Sequence, residues 1–337
     1  MNLESLRKTV IILFIAIIPF NVFAKENDRV TLSTNWLAQA EHGGFYQALA
    51  KGIYDKYNLD VTIRQGGPGV NSKALLVAGK VDFNIGGSAG AMNFVKGDIP
   101  FKAVAAIFQK DPQVLISHPN QGNDKIEDFK DKTILISKFN KVTFWPFLKS
   151  KYNFTDDQIK PYNFSLQPFL QDKKSIQQGY VTSEPYSIKT QAGFDPVVNL
   201  LADNGYMPYA TTIETSNFNI INKPELVQRF VDASIEGWYS YLFEDPVPAH
   251  SLIKIDNTEM KDDLLNYARN EMKKRGIVLS DDALSFGIGS MTDKRWQSFF
   301  EMMRDQGLYE KNLNYSKAYT LNFVNNKKWV GFENKYK

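Results

Sequence analysis

The chain has 337 residues, 43% of them hydrophobic and 13% aromatic, and 40 basic against 37 acidic side chains give a formal net charge of +3. That length supports one large core or two ordinary ones, and so even a balance, with no basic run, supplies no field for nucleic acid or an anionic membrane. The absence of cysteine excludes disulfides, thiolate metal sites, thiol nucleophiles and a lipid-bearing cysteine behind an export signal.

Residues 1–24 read as a signal peptide: Arg7 and Lys8, an apolar run over 10–20, and Val22, Phe23 and Ala24 before a cleavage point after Ala24. The run is shorter than the roughly 20 residues of a membrane-spanning helix, and a charged segment follows at once, which disfavours an uncleaved anchor. An exported chain without a lipid anchor stays near its cell only behind an outer membrane, so a periplasmic location is expected.

From residue 29 short β-type runs alternate with helical stretches, the pattern of a parallel sheet with crossover helices. Strands are predicted over 29–35, 60–64, 81–86 and 101–108, with helices over 42–57, 71–78 and 89–96 between them. A proline-framed strand at 112–119 marks a first crossing. The alternation then restarts with a strand at 133–137, helices at 144–152 and 172–179, and strands at 179–182 and 197–201. The polar, β-rich stretch 211–222 reads as the return crossing, and helices at 224–243, 260–274 and 293–306 follow. The fold class is therefore α/β with two lobes: residues 28–112 plus 221–320 form a discontinuous first lobe, and 113–220 an inserted second.

Ligands of open α/β sheets sit at the carboxyl ends of the strands. After the first strand come Asn35 and Trp36, then His42 and Gly43, an aromatic face and an imidazole beside a glycine pair at a helix start. After the third come Gly86, Gly87 and Ser88, whose backbone N–H groups open a helix. The second lobe offers Tyr180, Glu184 and Tyr186, with Trp145 as a further candidate. Aromatic faces with one carboxylate suit a flat heterocycle bearing an amino group. Each has a plainer reading: Trp36 as core, Glu184 as a solvated loop residue. His118 and His250 read as structural, since no metal-ligand spacing links them to His42, and no metal or cofactor is expected.

Leu32-Ser33-Thr34-Asn35-Trp36, His42 through Tyr54, Asn58-Leu59-Asp60-Val61, Ala78 through Phe83 and Ser183-Glu184-Pro185 together resemble the sulfonate and thiamine-pyrimidine-precursor binding proteins, over residues 31–307. The resemblance implies a type II periplasmic binding fold that closes on hinge crossings. It also implies a monomer that passes a small molecule to an ABC permease and its ATPase at the inner membrane. Its nearest members bind formylaminopyrimidine or hydroxymethylpyrimidine; sulfonate, taurine or flavin-type solutes are the alternatives. Carried over, Trp36 and Tyr186, or Tyr180 in its place, are stacking faces, Glu184 accepts the ring amino group, and His42 with the Gly86 to Ser88 loop supplies polar contacts.

Two enzymatic readings compete. The fungal thiamine pyrimidine synthase, which uses pyridoxal phosphate, looks similar at the opening loop. His42 matches it, but Ala38 stands where that enzyme has its lysine, and its cysteine motif is missing. Gly86-Gly87-Ser88-Ala89-Gly90 also fits the nucleophile elbow of serine hydrolases, with Asp203 and His250 following in order. The plainer reading makes it a small-residue turn with Ser88 as a cap. The run Gly66-Gly67-Pro68-Gly69 has no Gly-Lys-Ser sequel and reads as a turn at the cleft rim.

Overall fold

The computed structural model describes residues 26–336; the signal peptide read from 1–24 lies outside them. Ten strands follow in chain order: β1 (Asp28–Ser33), β2 (Leu59–Arg64), β3 (Phe83–Gly87), β4 (Phe101–Phe108), β5 (Gln113–Ser117), β6 (Ile134–Ile136), β7 (Ile159–Pro161), β8 (Ile176–Tyr180), β9 (Val197–Leu200) and β10 (Ala210–Ser216). They form two five-stranded sheets ordered β2-β1-β3-β10-β4 and β7-β6-β8-β5-β9. In the first, β1 pairs parallel with β2 and β3, and β10 runs antiparallel between β3 and β4. In the second, β6 pairs parallel with β7 and β8, and β5 runs antiparallel between β8 and β9. Each sheet thus holds one reversed strand reached by a chain crossing, and the expectation of a two-lobed α/β fold is met.

The strands follow from their side chains. β2 alternates, with Leu59 and Val61 buried and Asp60 exposed, as a strand covered on one face should. β4 is buried almost throughout although it closes its sheet. Its outer edge is covered by later chain: Ala106 N–H donates to Gly289 O and Thr320 N–H to Ala103 O, which removes the open ladder that invites aggregation. The Pro224–Phe243 helix lays Phe230, Trp238 and Tyr241 into the first lobe's core. There Phe230 stacks on Phe83 at 4.0 Å, and each such side chain contributes about 2–3 kcal/mol of burial.

Several expectations are corrected. Residues 211–222 are not a crossing: they hold most of β10 and the Asn217–Asn222 helix, because the alternating Thr212, Ile213 and Glu214 complete the first sheet. The chain therefore returns before residue 210. The helix read over 42–57 is broken, with a short 3-10 turn at Ala40–His42, a helix at Gly43–Ala50 and another at Ile53–Lys56, because Gly52 takes a left-handed conformation at φ 63°. The helix read over 172–179 is Gln167–Gln171 instead, and 176–180 is β8.

Candidate functional site

The loops at the carboxyl ends of β1, β2, β3, β6, β7 and β8 converge on one cleft of about 780 Å³ between the sheets. Asn35, Trp36 and His42 reach it after β1, Lys73 after β2, and Gly86, Gly87 and Ser88 at β3. Phe164 reaches it after β7, and Tyr180 and Glu184 at and after β8. The structure thus brings eight of the eleven sequence-predicted residues together. The other three do not line the cleft. Gly43 is pressed against the Tyr241 ring, which fills the place of a Cβ, so its smallness serves helix packing. Trp145 is buried with its Nε1–H donating to Asp156 at 2.8 Å. Tyr186 lies on a helical face and meets Tyr267 at 5.2 Å, so of the two tyrosines Tyr180 is the one at the cleft.

Burial shapes the charges. Glu184 accepts hydrogen bonds from Tyr180 N–H at 2.7 Å and Tyr162 O–H at 3.1 Å, yet desolvation raises its carboxyl above the usual range. Glu41, beneath it, accepts from the Thr182 hydroxyl of the opposite lobe and is raised first by burial and further by the charge of Glu184. Asp111, on the connection between β4 and β5, is pushed up to about 6 by burial while Gln113 N–H donates to it. Burial holds His42 down to about 3, so its imidazole is neutral at physiological pH, with Nε2 2.9 Å from Asn35 Oδ1. His118, bonded to Phe169 O at 2.8 Å, and His250, bonded to Tyr241 O–H at 3.2 Å, are buried structural groups.

Sequence reading missed Lys73, Asp111, Phe164 and Thr211. Lys73 is the single Lys or Arg among the described residues that line the cleft. Its ammonium projects over Gly90, and the fully buried Glu214 lies under Gly86, its carboxylate occupying the place a Cβ would take. Glu214 accepts from Asn84 at 2.9 Å; burial raises it and the nearby Lys73 charge lowers it. The space that Gly86 and Gly90 leave open is thus filled by side chains from behind the loop, Glu214 at one and Lys73 at the other.

Ser88 opens its helix without capping it, since Gly87 holds the cap position, and its hydroxyl is bonded to backbone rather than to a histidine. It is 1% exposed; its Oγ donates to Tyr209 O at 3.2 Å and accepts from Tyr209 N–H at 2.9 Å, clipping β3 to β10. His250 is committed to Tyr241, and Asp203 pairs with Lys110 at 2.8 Å. Ala38, at the position of the synthase lysine, is fully buried.

With this geometry in view, the model of the family described as NMT1/THI5-like matches residues 39–249. The chain belongs to the NMT1/THI5-like family. A riboflavin-binding protein, RibY, of Chloroflexus aurantiacus is 24% identical over 305 residues, covering 88% of this chain and 86% of its own. The periplasmic aliphatic sulphonate binding protein SsuA of Escherichia coli superposes with a TM-score of 0.66 at 10% identity over 87% of this chain and 92% of its own. The desulfurization enzyme DSZB superposes at 0.56 with 13% identity over 88% and 97%. Receptors and an enzyme share this fold, so function must be argued from the site.

Proposed function

We propose that this member of the NMT1/THI5-like family is the solute-binding component of an ABC import system and captures a flat aromatic heterocycle of flavin size. The observation that carries the reading is the cleft itself: about 780 Å³, faced by Trp36 from one lobe and by Phe164 and Tyr180 from the other, and lined by the carboxyls of Glu41, Asp111 and Glu184 and by the ammonium of Lys73. A volume of that order suits a ligand of several rings, whereas a single pyrimidine ring or a small sulfonate would leave most of it to water. The riboflavin-binding relative supports the same choice.

The chemistry is recognition. Trp36 and Tyr180 offer ring faces, Glu184 accepts from a ring N–H, and neutral His42 with Asn35 orients the polar edge. The segments 109–112 and 201–209, which cross between the sheets, act as the hinges. Higher affinity of the closed form for solute is sufficient for capture, so no bond need be made or broken. The protein works in the periplasm as a monomer and delivers its cargo to a permease with a separate ATPase.

A thermal-shift panel of riboflavin, hydroxymethylpyrimidine, an alkanesulfonate and pyridoxal phosphate tests this. At one hundred times its Kd a ligand stabilises the fold by about 2.7 kcal/mol. Riboflavin should raise the melting temperature, and Trp36→Ala and Glu184→Gln should each remove most of the rise without unfolding the protein. Stabilisation by hydroxymethylpyrimidine alone would replace the flavin with the smaller thiamine precursor, and a covalent pyridoxal adduct would overturn the receptor reading.

A further inference from the structure

Among the described residues nine non-glycine positions have positive φ, and seven of them are Asn or Asp, which tolerate that conformation. The other two, Phe164 and Thr211, both line the cleft. Thr211, at φ 47°, has a local reason, since the β10 ladder shifts register between Ala210 and Thr212 and the extra residue sits in that bulge. Phe164, at φ 66°, lies between β7 and the Gln167–Gln171 helix and has no such ladder. A bulky residue held there costs about 1–3 kcal/mol. Nor is the cost recovered by burial, because Phe164 is 60% exposed.

What the conformation does is aim the ring. Phe164 stands 5.3 Å from Trp36, across the cleft on the other lobe, at an interplanar angle of 38°. On its other side it packs at 5.3 Å against Tyr162, whose hydroxyl holds Glu184. We propose that Phe164 is a ligand-stacking residue, the second jaw of an aromatic clamp whose first jaw is Trp36, and that its left-handed backbone is retained for that purpose. This rests on the cleft being a solute site. A flat ring between two aromatic planes needs centroids about 7 Å apart, twice the van der Waals spacing. The jaws therefore part by about 2 Å to admit it, and the Tyr162 contact couples that movement to the carboxylate that reads the ring edge.

Phe164→Gly separates the two contributions because it relieves the backbone while removing the ring. The variant should melt about 2 °C higher than wild type yet bind riboflavin about tenfold more weakly, while Phe164→Tyr should stay within about twofold of wild type. Trp36 is the one tryptophan of the five that is not buried, so acrylamide quenching reports on it, and quenching should increase when Phe164 is removed. Unchanged affinity in Phe164→Gly, or quenching that does not move, would overturn the clamp. If wild type fails to bind riboflavin the flavin reading falls on its own, and the quenching and melting comparisons still decide the clamp geometry.

Discussion

At Asp111 burial acts on a carboxyl whose ordinary value is 3.8 and carries it to about 6. Between those two values the unfolded chain has released its proton while the folded chain still holds it, so the folded state binds more protons and stability falls as pH rises. The loss is complete above about pH 7 and amounts to on the order of 2–3 kcal/mol, at 1.36 kcal/mol for each tenfold change in proton affinity. Asp111→Asn removes the titration and keeps an oxygen to accept from Gln113 N–H, now at 3.0 Å. Urea unfolding should therefore show the variant about 2 kcal/mol more stable than wild type at pH 7.5 and nearly equal to it at pH 4. An equal gain at both pH values, or a loss at pH 7.5, would refute the argument that desolvation dominates at this carboxyl.

Three further substitutions probe the frame of the cleft. Gly86→Ala drives a Cβ into the Glu214 carboxylate and should cost about 1–3 kcal/mol in denaturant unfolding. Ser88→Ala breaks the clip to Tyr209 and should cost about 1–3 kcal/mol, while a fluorophosphonate probe should leave wild-type Ser88 unlabelled. Thr182→Val takes the hydroxyl from the buried Glu41 carboxyl and should destabilise the protein by a similar amount, visible as a lower melting temperature.

Strong periodicity made most of the first lobe legible. β4 and the Pro224–Phe243 helix occur where the apolar pattern put them, because their side chains alone dictate burial. β7 was invisible: Ile-Lys-Pro is three residues long, and only pairing with β6 makes it a strand. β10 was misread because its polar threonines are buried by the sheet's own neighbours.

At the site, Trp36, Glu184 and the Gly86 to Ser88 loop were readable from strand-end position, whereas Tyr186 and Trp145 were displaced by helix geometry that puts one on Tyr267 and the other on Asp156. Phe164 carried no signal at all. A left-handed turn ordinarily announces itself with Gly or Asn, and here a phenylalanine takes the position.

Fluorescence titration of riboflavin with the purified protein bears most directly on the claim of an aromatic solute cleft. Stacking against Trp36 should quench flavin emission saturably at one site per chain, and Trp36→Ala should abolish the quenching while the fold survives. Emission unchanged by wild-type protein, or quenched equally by the Trp36→Ala variant, would contradict it.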